Sequence, residues 1–402
     1  MFTQDELKKY AETLWWGLAT ARTKPYETGD LILLRYDLEA LPLAEAMYDL
    51  LVEKGLCPIV RANPSPKMDL SFYGKGTDEQ LKAIAPGDRE FTGNLNGLIS
   101  LIAPSSLTHL KDVDSGRIGM AAVARKFMRE IMDAREQTGD FGWTLCIYPT
   151  KAMAEAAGMS LDDFKQQVVK ACYLDQENPP AKWASVFEDA QKVKAWLNGL
   201  GIRSLHIKSE HTDLTVVPGE QPGQWLGVSG HNIPSFEIFL SPDHRHTRGV
   251  YYADQPSYRS GNFVEGVRLS FNDEGVAVDV QAKQGEDFVK KQLQMDPGAA
   301  RIGEFSLTDR RFSQISEFMA NTLFDENFGG DYGNCHIAVG ASYADTFAGD
   351  QSTLDTAKKN ELGFNSSALH WDLVNTEPKT VTATLEDGSE VVIYENGEFK
   401  NE

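Results

Sequence analysis

The sequence predicts an α/β N-terminal domain with a parallel sheet, followed by a predominantly antiparallel β (α+β) C-terminal domain. Apolar runs alternate with helical segments in the first half, whereas the second half consists of short alternating runs broken by turn residues. The length of 402 residues also exceeds that of one ordinary core. We therefore expect two domains, residues 1–200 and residues 201–402.

The first half begins with an amphipathic helix, because Thr3 and Glu6 have capping-box spacing ahead of an apolar series that ends at Leu18. Runs 31–36 and 57–62 are typical of strands. A helical stretch lies between these two runs, so they form a right-handed βαβ unit with parallel strands. Further strands and helices are predicted at 97–104, 118–136, 143–149, 160–171 and 184–198.

The second half has the sequence pattern of antiparallel hairpins: short alternating runs separated by turn residues. The sequences NDEG (272–275) and EDGS (386–389) contain residues that tolerate positive φ, so each predicts a hairpin turn. Helices are predicted only near 286–294, 311–323 and 352–360.

Composition and charge exclude some partners. Hydrophobic residues make up 41% of the chain and charged residues 24%, which is typical of a globular protein. The formal charge of −20 repels phosphate backbones and anionic lipids, so we expect no nucleic-acid and no membrane partner.

The expected location is the cytoplasm. Cysteines 57, 146, 172 and 335 form no CxxC pair, and a chain of this length needs no disulfides, so we expect reduced thiols. The N-terminal segment has no apolar signal core, and no stretch approaches the ~20 apolar residues of a membrane span.

Several common catalytic motifs are missing from the sequence. GVSGH (227–231) does not fit a nucleophile elbow, YGKGTDEQ (73–80) lacks the third glycine of a dinucleotide loop, and there is no H-E-x-x-H. A hydrolytic site must therefore be built from dispersed residues.

The first dispersed candidates are His370 and Asp372. Alternate residues of a strand point to the same face, so this pair could hold one divalent ion or two adjacent ions. A histidine oriented by a nearby carboxylate, or two exposed residues, would give the same pattern.

Further candidates lie in three other segments. His336 opens a run of small residues that ends at Tyr343, although a buried histidine bonded to a backbone carbonyl is an alternative. Glu237 and Glu304 lie among apolar residues, where a carboxylate needs a compensating cation. Two alternatives remain open for these glutamates: a buried ion pair with an arginine, such as Glu304 with Arg301, or a solvent-facing position on the strand. Nearby, Asp325 and Glu326 could cap a helix or lie in a turn.

The order of these segments resembles the metallo-aminopeptidase family of thermophilic aminopeptidase T and staphylococcal aminopeptidase S (PepS). The motifs that carry the resemblance are NIPSFEIFLSPD (232–243), RIGEFSL (301–307), NTLFDEN (321–327) with HIAVGASY (336–343), and SALHWDLV (367–374). N-terminal segments 10–36 and 143–150 also resemble that family, so the resemblance covers essentially the whole chain.

The resemblance implies a metal-dependent aminopeptidase with two divalent ions per chain (Zn, Co, Mn or Mg), acting on peptides with a free N-terminus. It places the metal ligands on Glu237, Glu304, His336, His370 and Asp372. It also places an active-site tyrosine on Tyr343, and we count Glu304 with Tyr343 among the catalytic residues. A homodimer is implied as well.

Five nitrogen and oxygen ligands exceed the three that one catalytic zinc typically takes, which favours two ions with a metal-bridged water. Two alternatives remain. Two histidines and Asp372 could form the facial triad of a mononuclear iron ring-cleaving dioxygenase, or the chain could be a non-catalytic metal-binding protein.

Overall fold

The protein is described by a computed structural model that covers residues 1–219, 223–259, 262–350 and 353–401. The chain divides into two compact units, Met1–Ala184 with Ser229–Ser235, and Ser185–Val228 with Phe236–Glu402. The division into separately folding domains at residue 200 remains a prediction. Among the described helices, none is long and apolar enough to cross a membrane.

The first 199 residues form four strands separated by one or more helices, and three further helices follow the last of these strands. In chain order the elements are α1 (Gln4–Thr20), β1 (Leu31–Tyr36), α2 (Leu41–Glu53), β2 (Cys57–Ala62), α3 (Pro66–Lys75), α4 (Asp78–Lys82), α5 (Asp88–Asn94), β3 (Gly97–Ile102), α6 (Ser115–Gln137), β4 (Gly142–Ile147), α7 (Lys151–Ala156), α8 (Leu161–Ala171) and α9 (Pro179–Gly199).

Strands dominate the remainder of the chain. They and the intervening helices are β5 (Ile202–Lys208), β6 (Asp213–Val216), β7 (Leu226–Gly227), β8 (Asn232–Ile233), β9 (Glu237–Leu240), β10 (Arg248–Ala253), β11 (Ser257–Arg259), β12 (Asn262–Val264), β13 (Val267–Phe271), β14 (Ala277–Gln281), α10 (Glu286–Leu293), β15 (Ile302–Thr308), α11 (Thr322–Asp325), β16 (Asn334–Gly340), α12 (Thr356–Glu361), β17 (His370–Asn375), β18 (Thr380–Leu385), β19 (Glu390–Glu395) and β20 (Glu398–Phe399).

The first unit is built on a five-stranded sheet in the order β2-β1-β3-β4-β8, with parallel pairing throughout. The predicted α/β fold with a parallel sheet is therefore confirmed. The capping box of α1 is also present, because Thr3 accepts the N–H of Glu6 and the Glu6 carboxylate accepts the N–H of Thr3.

The second unit contains two larger sheets with antiparallel pairing. One has the order β14-β13-β10-β6-β5-β18-β19-β20, and the other has the order β17-β16-β15-β9-β7. The predicted hairpins at NDEG and EDGS join β13 to β14 and β18 to β19. The expectation of a mainly antiparallel second half is confirmed, and the five-stranded sheet carries the candidate site.

The helix expected over 311–323 is wrong. Residues 311–321 are irregular, and only the short helix α11 follows, with Asn321 as its N-cap. The cause is a local side-chain contact: the Asp325 carboxylate accepts the N–H groups of Met319 and Asn321, which a helix would have directed to backbone carbonyls. The helix expected near 352–360 is α12; residues 351 and 352 lie outside the described residues.

Candidate metal centre

Four adjacent strands of the five-stranded sheet carry the predicted ligands. Ala338 of β16 lies opposite Glu304 of β15 on one side and opposite Asp372 of β17 on the other. Cross-strand partners share a face of the sheet, and so do residues two apart on one strand, which adds His336 to that face. The methyl group of Ala338 leaves room between the two carboxylates.

One group of possible ligand atoms consists of Glu237, Glu304 and His336, whose atoms all lie within 4.8 Å of one another. Nε2 of His336 lies 3.2 Å from Oε1 of Glu304 and 3.5 Å from Oε2 of Glu237. His336 and Glu304 are almost completely buried, with side chains 1% and 4% exposed.

The second group consists of Glu304, His370 and Asp372, whose ligand atoms also all lie within 4.8 Å of one another. Nε2 of His370 lies 3.6 Å from Oε2 of Glu304 and 3.4 Å from Oδ1 of Asp372. Glu304 therefore belongs to both groups and presents a different oxygen to each histidine. The structure brings all five predicted residues to one place; their role as metal ligands is a proposal.

The orientation of His370 is fixed by a backbone contact. Its Nδ1 lies 2.9 Å from the carbonyl oxygen of Ala341, so this nitrogen donates to the backbone and Nε2 is the nitrogen that faces the carboxylates. For His336, the open alternative was a bond to a backbone carbonyl. In the described part of the chain, however, its buried Nδ1 has no hydrogen-bond partner.

Negative charge is concentrated in this buried space. Burial and the neighbouring Glu304 raise the pKa of Glu237 to about 8. Burial alone would lower the pKa of His336 and His370. Glu304 raises that of His336 to about 9, and Asp372 does the same for His370. The carboxylates thus crowd one another, which divalent cations would relieve.

The residues fit a pair of divalent ions. Imidazole nitrogens and carboxylate oxygens are the donor set of zinc, cobalt and manganese in proteins. An ion pair of Glu304 with Arg301, the alternative left open by the sequence, is not what the structure shows, because Arg301 donates to the carbonyl of Glu274 and contacts His244. Another group with suitable spacing, at Glu210, His211 and Glu377, lies largely on the exposed surface, and we assign no ion to it.

Tyr343 lies at the rim of the centre, three residues after the end of β16. Its backbone N–H donates to Oγ of Ser241 at 2.9 Å, and its ring packs edge-on against His370, with centroids 4.7 Å apart. Desolvation of the hydroxyl and the charge of Glu304 and Asp372 raise the pKa of the phenol well above its ordinary value. Tyr343 therefore remains a hydrogen-bond donor at neutral pH.

Glu326 is a candidate that the sequence pattern did not identify. It follows α11, is buried, and lines a small cavity with Asp372 and Tyr258. Burial, followed by the charges of Glu237 and Asp372, raises its pKa well above the ordinary value. The signal available in the sequence was its place in the motif NTLFDEN. Its neighbour Asp325 has the structural role described above.

Comparison with known proteins identifies the family. The family described as thermophilic metalloprotease (M29) matches residues 3–399. This chain belongs to the M29 family. The predicted resemblance to the metallo-aminopeptidases is therefore confirmed. The chain belongs to a family of metal-dependent peptidases.

Individual M29 relatives are aminopeptidases. Aminopeptidase T of Thermus aquaticus is 32% identical over 269 residues, which cover 64% of this chain and 63% of that protein. Aminopeptidase AmpS of Bacillus subtilis is 28% identical over 338 residues, covering 78% of this chain and 79% of that protein. The chain thus matches a little under two thirds of the length of aminopeptidase T.

A solved M29 structure shares the fold. Wild-type AmpT from Thermus thermophilus superposes with a TM-score of 0.77 at 22% sequence identity, covering 98% of this chain and 99% of that chain. This likeness supports the fold class and does not by itself assign the site residues.

Proposed function

We propose that this M29 chain is an aminopeptidase that removes N-terminal residues from peptides at a two-metal site. One observation carries the proposal: Glu304 lies in both groups of possible ligand atoms and offers one oxygen to each. A carboxylate shared in this way is the usual bridge between two ions in co-catalytic hydrolase sites.

In this proposal Glu237, Glu304 and His336 hold one ion, and Glu304, His370 and Asp372 hold the other. The ions are divalent: zinc, cobalt, manganese or magnesium. When bound, they supply Lewis-acid chemistry, which lowers the pKa of bound water and polarises the scissile carbonyl.

Two residues of the chain assist the reaction. Tyr343 donates a hydrogen bond to the oxygen on which negative charge develops, since its raised pKa keeps the phenol protonated. Glu326 holds and transfers a proton. Its burial and its acidic neighbours favour the protonated form, as a group that must protonate a leaving amine requires.

Selection of a free N-terminus follows from the charge of the cavity beside the centre. Asp372 lines this small cavity, and hydrogen bonding from His370 outweighs its burial and holds its pKa below the ordinary value, so it stays charged. The ammonium group of a peptide N-terminus gains a favourable electrostatic interaction with this carboxylate, whereas an acylated terminus does not.

The proposal includes a cytoplasmic location and a homodimer. All four cysteines are free thiols and three of them are buried, which fits a reducing compartment. The homodimer rests on the family resemblance, and sedimentation equilibrium at several protein concentrations tests it.

Hydrolysis of leucine p-nitroanilide, compared with its N-acetylated form, tests the function. Metal-stripped protein is reconstituted with zinc, cobalt, manganese or magnesium, and we expect turnover of the free-amine substrate alone. Bound metal without any hydrolysis would favour a non-catalytic metal-binding protein. One ferrous ion per chain with oxygen uptake would favour the dioxygenase. Either result contradicts the proposal.

A further inference from the structure

The strand that carries His370 lies at the edge of its sheet. In the order β17-β16-β15-β9-β7, β17 has a ladder partner on one side only. An edge strand presents backbone carbonyls that no neighbouring strand can pair. The carbonyl oxygen of His370 is one of these, and it accepts a hydrogen bond of 2.9 Å from Nη1 of Arg259.

The Arg259 side chain is itself held in place. Its Nε donates to Oε1 of Gln292 at 3.3 Å, and its Cζ lies 5.5 Å from the ring centroid of Trp371. The Trp371 indole N–H donates to Oγ of Ser257 at 3.0 Å. Two residues of β11, Ser257 and Arg259, therefore hydrogen-bond to the first two residues of β17, His370 and Trp371.

His370 is thus fixed from two sides. Its ring is anchored by the Ala341 carbonyl, and its backbone is anchored by the Arg259 guanidinium. Among the described contacts, none joins Arg259 to Glu237 or His336. An effect of Arg259 should therefore fall on one of the two ligand groups and spare the other.

We propose that Arg259 is a positioning residue for the metal group formed by Glu304, His370 and Asp372. It holds His370 through the edge carbonyl of β17, and its positive charge interacts with Asp372. The inference rests on the proposed two-metal function. It adds a residue outside the ligand set, from a hairpin that contributes no ligand.

The test is a titration of metal-stripped protein with cobalt, followed by visible absorption and by calorimetry to obtain both stepwise dissociation constants. In Arg259→Ala we expect one constant to weaken about tenfold, as is typical when a partner behind a metal ligand is lost. The other constant stays at the wild-type value. A merely structural residue would shift both constants or neither.

Arg248→Ala is the matched control, because Arg248 also donates to a backbone carbonyl of the second unit, that of Asp273 at 2.8 Å. This variant should bind both ions as the wild type does. Melting of the metal-free proteins then measures general destabilisation, which we expect to be similar for the two alanine variants.

Arg259→Lys keeps the charge and one donor, so its affected constant should lie between those of the wild type and the alanine variant. If Arg259→Ala does not fold, the lysine variant alone tests whether Arg259 positions this metal group. Wild-type constants in both Arg259 variants, or in the lysine variant alone if only that one folds, overturn the inference. Failure of the wild type to bind a second ion refutes the proposed function instead, so the two failures are distinguishable.

Discussion

Oε2 of Glu304 lies 3.6 Å from Nε2 of His370, although the two residues are on strands separated by β16. The contact is possible because Glu304 lies opposite Ala338 of β16 and His370 lies opposite Gly340, and neither of these small residues obstructs it. The other oxygen of Glu304 faces His336. One carboxylate therefore connects the two halves of the centre.

Replacing Glu304 should affect both ions at once. Glu304→Gln keeps the size of the side chain and removes the charge, so we expect loss of both ions and a fall in kcat on the order of 10³-fold. Metal content and turnover of leucine p-nitroanilide measure the two effects. Glu390→Gln, at an exposed position of the same unit, should leave both unchanged. A Glu304 variant that keeps two ions and full activity refutes the bridge.

Tyr343→Phe should separate chemistry from metal binding. The phenol lies beside His370 and belongs to neither ligand group, so its loss should reduce kcat about 100-fold with unchanged metal content. Tyr332→Phe is a matched control, because Tyr332 is 42% exposed and Tyr343 is 41% exposed. Equal kcat values for the two variants remove Tyr343 from the mechanism.

Asp325→Ala should lower stability. The Asp325 carboxylate accepts N–H bonds of 2.7 and 2.8 Å from Met319 and Asn321, and it thereby holds Ala320 at a φ of 51°. Loss of both bonds leaves two backbone donors without acceptors, so we expect a decrease of about 3 kcal/mol in the free energy of unfolding. Urea denaturation measures it, with the exposed Asp331→Ala as control. A loss no larger than that of the control contradicts this role.

Asp243 should contribute stability that disappears in acid. Burial alone would raise its pKa, but hydrogen bonds from the side chain and backbone of Arg245 outweigh burial and hold the pKa below the ordinary value. The contribution is therefore fully present above the unfolded pKa of ~3.9 and is lost as the pH falls through the lower folded value.

The variant Asp243→Asn should accordingly be less stable than the wild type by about 1–3 kcal/mol near neutral pH. The gap should shrink as the pH falls below ~3.9. Urea midpoints measured across this range test the sign. The fully exposed Asp273→Asn should show little change at any pH. A gap that widens in acid would show that the carboxylate is not held in its charged form.

Removal of metal should destabilise the protein as well as inactivate it. Without metal ions the centre binds protons instead, because burial and charge crowding raise the pKa of Glu237 to about 8, and the neighbouring carboxylates raise the pKa values of His336 and His370 to about 9. A ligand at 100 times its Kd contributes about 2.7 kcal/mol, so chelation should lower the melting temperature by several degrees. Restoration of both activity and melting temperature by cobalt or zinc, but not by a monovalent salt, completes the test.

Much of the fold followed from local sequence patterns. Alternation and turn residues predicted both classes of sheet, and Thr3 with Glu6 predicted the first helix boundary. Periodicity failed where side-chain contacts or strand pairing decide the backbone. Residues 311–321 look helical, but the Asp325 carboxylate accepts the N–H groups of Met319 and Asn321. The two-residue strand β8 is too short for any periodicity, and it is defined only by its pairing with β4.

The candidate site was predictable in part. His370 and Asp372 share a strand face, so their proximity follows from alternation alone. The convergence of Glu237, Glu304 and His336 depends on strand order, which no local pattern encodes, and it was expected only from the family resemblance. Glu326 lies directly after α11, and Arg259 lies on a separate hairpin strand, β11. Their relation to the centre requires the folded structure.

Anomalous diffraction from crystals of the zinc- or cobalt-loaded protein, recorded on both sides of the metal edge, tests the central claim most directly. We predict two peaks, one beside His336 and one beside His370, with the Glu304 carboxylate between them. A single peak, or two peaks that do not share Glu304, would contradict the account.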